Sequence, residues 1–264
     1  MYPFAYHKPD AAAAAAALAR NEDAKFLAGG MTLLPTMKQR LAAPASLVDL
    51  GALSELRGVQ VDAQSVTIGA MTRHVEVANS AAVAKAIPAL AELAGMIGDP
   101  AVRNRGTIGG SVANNDPAAD YPAALLALAA TVHTDRRAIP ADDFFKGLFE
   151  TALEEGEMIV KISFPIPQKA GYEKFRNPAS RYAIVGVFVA KGPAGVRVAV
   201  TGAGSEGVFR ASEFEQALSK DFSVKAIESI AASPDNLNTD IHADAEYRAH
   251  LIGVMARRAL AKAL

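Results

Sequence analysis

The sequence predicts an α+β protein with two domains, and three observations lead to this fold class. Short β-branched stretches alternate with alanine-rich helical stretches from the N-terminus up to Phe164. The Pro165-Ile166-Pro167 step then interrupts the chain, and such a proline-rich step is typical of a boundary. Beyond it, three consecutive strand patterns precede a series of helical patterns, an order typical of a small α+β unit. We therefore expect one domain over residues 1–168 and a second over residues 169–264.

Composition excludes several classes of protein. Apolar residues make up 51% of the 264 residues and charged residues 21%, which is typical of a globular chain. No apolar stretch reaches the roughly 20 residues of a membrane span, and a net charge of -1 predicts no nucleic-acid partner. Because the sequence contains no cysteine, it cannot itself hold a cysteine-ligated iron–sulfur cluster or a catalytic thiol. The lack of disulfides and of a signal-peptide pattern predicts a cytoplasmic protein.

Helix and strand patterns alternate through the first hundred residues. An alanine run reaching about Arg20 predicts the first helix, with Asp10 as its N-cap. Met31–Arg40 predicts a short helix, because Pro35 suits a first turn and cations favour a last turn. Thr72 is a further candidate helix cap. The other elements predicted here are, in chain order, strands at Lys25–Ala28, Leu47–Leu50, Val59–Val61 and Val66–Ala70 and a helix over Ala81–Met96.

The rest of the chain shows a buried helix, a strand and then the second domain. Ser212, with Glu215 three residues later, matches the capping box of a helix N-terminus. Three strands separated by short turns predict an antiparallel meander. The predicted elements are, in chain order, a helix at Pro122–Ala130, strands at Met158–Phe164, Tyr172–Arg176, Ile184–Lys191 and Val196–Thr201, and helices at Ser212–Leu218, Val224–Ala231 and Ala243–Ala263.

Two segments with paired glycines are the strongest candidates for a binding site. They are Ala28–Pro35, which contains Gly29-Gly30, and Thr107–Asn114, which contains Gly109-Gly110. Glycine lets a ligand approach the main chain, and the free N–H groups of the helix predicted after the first pair favour an anion. Two such segments facing each other suit a diphosphate held by amides rather than by lysine or arginine. From the residues alone, an ordinary structural turn stays the alternative for each segment.

Other candidate motifs are weaker. Gly202–Gly207 matches G-x-G-x-x-G, but we reject a dinucleotide fold because the next helix is predicted to start only at Ser212. Asp120 stands close to the second glycine segment, where its carboxylate can accept hydrogen bonds from ligand hydroxyls or cap the following helix, and both functions stay open. The five histidines are scattered, so no metal site is predicted.

The two glycine segments resemble the flavin loops of a known family. Ala28–Lys38 resembles the first FAD loop of the medium subunit of molybdenum hydroxylases, and Arg103–Pro122 is similar to its second. Within this xanthine dehydrogenase family, the resemblance is nearest to carbon monoxide dehydrogenase medium subunits. It extends over nearly the whole chain through later blocks, which are Glu157-Met158-Ile159, Phe164-Pro165, Lys174-Phe175-Arg176, Arg181–Ile184 and Asp244–Arg248.

The resemblance implies a fold and a cofactor. The fold is an FAD-binding domain of two subdomains, of the PCMH or vanillyl-alcohol-oxidase-like type, followed by a small α+β domain of three antiparallel strands plus helices. The cofactor is FAD, with its diphosphate on the main-chain N–H groups of the first loop. One departure is Met31-Thr32, where the family commonly has a polar residue followed by serine, and Thr32 keeps the hydroxyl.

The resemblance also implies the residues that contact FAD. Asp120 is implied to bind the ribityl hydroxyls, Ile159 to pack on the flavin and Lys174 to lie near it, while Tyr182 approaches the isoalloxazine. The full implied set is Ala28, Gly29, Gly30, Met31, Thr32, Leu33, Thr107, Gly109, Gly110, Ser111, Asn114, Asp120, Ile159, Lys174 and Tyr182. No residue is assigned as a general acid or base.

By the same resemblance, the chain relays electrons within a larger enzyme. A large molybdenum-cofactor subunit oxidises the substrate, a small subunit carries two [2Fe–2S] clusters, and the flavin subunit passes electrons to an external acceptor, in a dimer of heterotrimers. The lack of cysteine agrees with clusters in a partner. The alternatives are a flavin-free assembly subunit of the same fold and a stand-alone FAD oxidase. The substrate and the acceptor stay open.

Overall fold

The structure is a computed structural model that describes residues 1–20 and 23–264. Its strands form four sheets, with the strand orders β1-β3-β2, β4-β5-β10-β6-β7, β11-β12-β13-β14 and β8-β9. The strands are β1 (Ala5–His7), β2 (Ala24–Leu27), β3 (Ser46–Asp49), β4 (Val59–Val61), β5 (Ser65–Gly69), β6 (Thr131–Thr134), β7 (Ala138–Pro140), β8 (Phe145–Gly147), β9 (Glu150–Thr151), β10 (Ile159–Pro165), β11 (Lys169–Arg176), β12 (Ala183–Gly192), β13 (Gly195–Thr201) and β14 (Phe209–Arg210).

Helices connect and cover these sheets. Single turns of 3-10 helix occur at Leu50–Ala52, Ser54–Leu56 and Val224–Ile227. The α-helices are α1 (Ala12–Ala19), α2 (Leu33–Lys38), α3 (His74–Ala78), α4 (Ala81–Ala86), α5 (Pro88–Gly95), α6 (Pro100–Arg105), α7 (Ile108–Asn114), α8 (Tyr121–Ala127), α9 (Ala141–Phe144), α10 (Ser212–Lys220) and α11 (Ala245–Ala263).

The first sheet is parallel and small. Strand β3 pairs with β1 on one side and with β2 on the other, and α1 and α2 make the connections that parallel strands require. The alanines of α1 allow a close approach to β2 and β3, and Ala15 is fully buried there beside Val48. Strand β2 of this sheet therefore leads directly into the first glycine segment.

The second sheet is antiparallel, and helices α3 to α9 pack around it. Strand β10 lies at its centre, between β5 and β6, and buries Ile162 and Phe164 completely. Full burial of such side chains contributes about 1.5–3 kcal/mol each. The same core includes Val66 and Ile68 of β5, so the end of β5 is a rigid support for the second glycine segment.

The third sheet is the antiparallel meander that the sequence predicts over its first three strands. A two-residue strand, β14, adds a fourth strand that was not predicted. Strand β12 is buried on both faces, because Phe188 packs into the core of the second sheet while Val187 packs against α10 and α11. The core of the second sheet therefore includes residues from both halves of the chain.

Three predicted details of the first helices are wrong. Helix α1 begins at Ala12 without Asp10 as its cap, and the Ala12 N–H donates to the Glu55 carboxylate at 3.1 Å instead. The hydroxyl of Thr72 hydrogen-bonds to the backbone of Gly58, at 2.9 Å and 3.1 Å, so it does not cap α3. The helix predicted over Ala81–Met96 is two helices, because a residue before proline, here Ile87 before Pro88, avoids the helical conformation.

The predicted helices of the C-terminal part also need correction. Ser212 is the first residue of α10 rather than its cap, and Glu215 accepts hydrogen bonds from the Val198 N–H and from Arg210. Tertiary partners therefore replace the capping box. The helix predicted over Val224–Ala231 is a single turn of 3-10 helix.

Candidate functional site

The two glycine segments line the same cavity, which has a volume of about 610 Å³. The close contacts around this cavity are made at glycines, which have no side chain. A Cβ placed on Gly29 would lie 2.2 Å from the carbonyl oxygen of Arg105, and one placed on Gly110 would lie 3.3 Å from the Cβ of Ala28. Glycine at these positions therefore allows the two segments to face each other across one binding space. The volume lies within the range of about 300–1,000 Å³ typical of ligand pockets.

The first segment presents a row of free main-chain donors. The chain leaves β2, turns at Gly30 with a φ of +74°, and enters α2 at Leu33. Among the hydrogen bonds of the described residues, none is donated by the N–H groups of residues 29–33. Consecutive free N–H groups at the start of a helix form a concave anion site. This segment has the donors that a diphosphate needs.

The second segment is mostly helical, although it resembles a flavin loop. Gly109, Gly110 and Ser111 form the first turns of α7, and the Thr107 side chain caps this helix by accepting from the Gly110 N–H at 3.2 Å. The Gly109 N–H donates to the carbonyl of Ala70 at 2.8 Å, so it is not free for a ligand. This segment therefore offers a ligand mainly a glycine surface and side-chain hydroxyl groups, and few main-chain N–H donors.

Asp120 takes part in a buried network that explains its position. Lys174 Nζ lies 2.8 Å from its Oδ1, and the Tyr172 hydroxyl donates to the same oxygen at 2.5 Å. The Asp120 side chain does not cap α8, although the residue stands at the cap position. Burial, with a further contribution from Asp120, raises the pKa of Tyr172, which keeps its hydroxyl a donor. The network joins β11 to the start of α8 at the cavity wall.

The C-terminal sheet also holds the segment that leads into Asp120. The Thr201 hydroxyl donates to the Ala119 carbonyl at 2.6 Å, and the Gly202 N–H donates to the Pro117 carbonyl at 2.8 Å. The cavity wall is therefore built jointly by the two predicted domains.

Fourteen of the fifteen residues implied by the resemblance line this cavity. Lys174 is the exception, because its side chain is buried behind Asp120 and reaches the cavity only through that carboxylate. The fourteen that line it are Ala28, Gly29, Gly30, Met31, Thr32, Leu33, Thr107, Gly109, Gly110, Ser111, Asn114, Asp120, Ile159 and Tyr182. Their assignment as FAD ligands stays a prediction.

Two lining residues outside the implied FAD-contacting set have unusual electrostatics. Burial, followed by the charge of Arg103, lowers the pKa of His74 to about 4, so its imidazole is neutral at pH 7. Its Nδ1 and the hydroxyl of the neighbouring Tyr121 lack hydrogen-bond partners within the described residues. A single histidine in a sequence does not indicate that its side chain will be buried.

Glu157 is the second such residue. Its carboxylate accepts hydrogen bonds from Arg137 Nε at 3.0 Å and from the Thr134 hydroxyl at 2.7 Å. The hydrogen bond from Arg137 is the main cause that lowers the pKa of Glu157 to about 2. This ion pair fixes the segment that carries Ile159 into the cavity.

The residues present fit a dinucleotide with an anionic diphosphate and a planar ring. The free N–H groups of residues 29–33 match the diphosphate, and the apolar Ile159 and the aromatic Tyr182 match a ring. Over residues 1–20 and 23–264, no cluster of three or more metal-ligating side chains occurs. No helix in the same part of the chain is long and apolar enough to cross a membrane.

Comparisons with known proteins agree with this geometry. Residues 2–167 match the family described as the FAD binding domain in molybdopterin dehydrogenase. The chain is 38% identical to the carbon monoxide dehydrogenase medium chain of Hydrogenophaga pseudoflava, over 97% of this chain and 96% of the relative. It is 37% identical to the nicotine 6-hydroxylase medium subunit of Paenarthrobacter nicotinovorans, over 93% and 92% of the two chains.

The fold agrees with a solved structure of the same kind. Carbon monoxide dehydrogenase from Hydrogenophaga pseudoflava, solved without the Mo-pyranopterin moiety of its cofactor, contains a chain that superposes with a TM-score of 0.88. The match has 37% identity and covers 100% of this chain and 98% of that one. The family match, the identity over nearly full length and the fold all point the same way. The chain belongs to the FAD-binding medium subunits of the molybdenum hydroxylases.

Proposed function

We propose that this chain binds FAD noncovalently in the cavity between its two glycine segments and transfers electrons within a molybdenum hydroxylase. The observation that carries the proposal is the row of free N–H groups at residues 29–33, opposite the glycine surface of α7. Noncovalent binding is favoured because the sequence has no cysteine and neither glycine segment contains a histidine. The chemistry that FAD supplies when bound is electron transfer, from the [2Fe–2S] clusters of a partner subunit to an external acceptor.

The residues of this chain bind and orient the cofactor. Residues 29–33 hold the diphosphate by their N–H groups, and Ser111 and Asn114 close the cavity from the second segment. Asp120, fixed by Lys174 and Tyr172, presents its carboxylate towards the ribityl hydroxyls. Ile159 and Tyr182 cover the flavin and exclude water from it. No side chain of this chain is proposed to move a proton.

The partners belong to the same proposal. The relatives are named as medium chains or subunits, so they are parts of multi-subunit enzymes. We place the clusters in a small subunit and the molybdenum cofactor in a large one, in a dimer of heterotrimers, and the lack of cysteine in this chain supports that division. A cytoplasmic location and a domain boundary after residue 168 complete the proposal.

Titration of the purified chain with FAD tests the proposal. We expect a bound-flavin absorption spectrum at micromolar FAD and a melting temperature raised by about 5–10 °C at 100 times the Kd. A folded chain that leaves FAD free would support the flavin-free assembly subunit instead. Turnover of an organic substrate by the chain without partners would support a stand-alone oxidase.

A further inference from the structure

Phe149 occupies an unusual place at the edge of the cavity. It forms the turn between β8 and β9 together with Leu148, and it lines the cavity although 56% of the residue is exposed. Its φ is +56°, a conformation that a bulky side chain rarely adopts. Backbone strain of this kind persists only where the surrounding structure enforces it.

Asn115 enforces this conformation from the second glycine segment. Its Nδ2 donates to the carbonyl oxygens of Gly147 and Glu150, both at 2.9 Å, so it binds the two ends of the turn. Asn115 is only 2% exposed and caps the C-terminus of α7 in a left-handed conformation. The position of the Phe149 backbone is therefore tied directly to the helix that carries Gly109 and Gly110.

Several exposed apolar side chains line the cavity. Met31, Phe149 and Tyr182 are each between 38% and 56% exposed, and all three line it. Burial of the Tyr182 hydroxyl raises its pKa, and the charge of the Asp116 carboxyl adds to the rise. Phe149 and Tyr182 line the same cavity, one from each predicted domain. Two aromatic side chains in one cavity suit a planar ligand ring.

We infer that Phe149 is a further cofactor-binding residue, whose ring packs on the isoalloxazine end of FAD. This inference rests on the proposed function and adds to it a residue that binds from the β8–β9 turn. Phe149 loses its exposure when the isoalloxazine covers it, and the strained turn is kept because it places the ring at this position. Asn115 is then a positioning residue for Phe149.

The test is an FAD titration of the full chain with a matched pair of variants. Phe149→Ala should raise the Kd for FAD about 10-fold, the effect expected for loss of one stacked aromatic side chain. Leu148→Ala is the control, because Leu148 is its neighbour in the turn, is 53% exposed and does not line the cavity. It should leave the Kd unchanged. Phe149→Tyr keeps the ring and should bind FAD like the unmodified chain.

ADP separates the two ends of the cofactor, because it contains the adenine and the diphosphate without the flavin. Phe149→Ala should bind ADP as tightly as the unmodified chain does. If the unmodified chain fails to bind FAD, the proposed function and this inference fall together. If it binds FAD and Phe149→Ala binds equally well, only the inference falls. Equal losses of FAD and ADP affinity would overturn the placement at the isoalloxazine end.

Discussion

Gly29 lies directly against the backbone of Arg105, so closely that a Cβ on Gly29 would lie 2.2 Å from the Arg105 carbonyl oxygen and 2.8 Å from the Cα of Gly106. Real side chains do not approach a backbone atom to such a distance, so the pair of segments must separate if Gly29 is replaced. The contact joins the start of the first segment to the residues that immediately precede the second. The geometry of the binding space therefore depends on this close approach.

Gly29→Ala is expected to abolish FAD binding at micromolar concentrations, because the added methyl group pushes the two segments apart. It should also lower the free energy of unfolding by about 1–3 kcal/mol, the usual cost of overpacking. Gly95→Ala is the matched control, because a Cβ there meets only the Cβ of Ala78 at 3.9 Å. FAD titration and urea unfolding check both variants, and normal FAD affinity in Gly29→Ala would contradict the contact.

Gly110→Val tests the other side of the cavity. A Cβ at Gly110 would lie 3.0 Å from the Thr107 Oγ1, and the branched side chain would occupy the space proposed for the diphosphate. We expect no measurable FAD binding, with a native circular dichroism spectrum. An unchanged Kd by fluorescence titration would show that this helix surface is not part of the binding site.

The buried pair of Asp120 and Lys174 leads to a prediction about stability. Lys174→Met leaves the Asp120 carboxylate without its cation, and Asp120→Asn leaves the buried ammonium group without its anion. Each single variant should lower the free energy of unfolding by about 3–5 kcal/mol. The double variant should lose less than the sum of the two, because it leaves no unpaired charge. Additive losses in urea unfolding would show that the two side chains do not interact.

Glu157 predicts a pH dependence with a definite sign. Its pKa is lowered from 4.5 to about 2 in the folded chain, mainly by Arg137. The stabilisation is therefore complete above about pH 4.5 and is lost as the pH falls towards 2, where the folded carboxylate also takes up a proton. At pH 7, Glu157→Gln should be less stable by about 1–2 kcal/mol. The difference should shrink between pH 4.5 and pH 2 in urea unfolding, and a constant difference would rule out the ion pair as its cause.

Local patterns in the sequence predict much of the fold. Strand β4 has the predicted bounds Val59–Val61, and the three long strands of the C-terminal meander include the predicted stretches Tyr172–Arg176, Ile184–Lys191 and Val196–Thr201. The two glycine segments share one cavity, as their resemblance to flavin loops implies. The strands and the glycine motifs depend on residues close together in the chain, so periodicity and motifs are sufficient to find them, whereas the shared cavity follows from the resemblance.

Features that depend on distant partners were not predictable in this way. Tyr172 and Lys174 lie more than 50 positions from Asp120, so no local spacing indicates that they satisfy its carboxylate. The same holds for the amide of Asn115, which meets the turn at Phe149 only in the folded chain. The break at Pro88 is different, because the proline was visible in the sequence and its effect on Ile87 follows from sterics alone.

A crystal structure of the full chain with bound FAD is the most direct measurement of where the diphosphate lies. We expect its oxygens about 2.7–3.2 Å from the main-chain nitrogens of residues 29–33, with the α7 glycines covering the opposite side. A structure with FAD bound elsewhere, or with these nitrogens turned towards protein carbonyls while FAD is present, would contradict the proposed site.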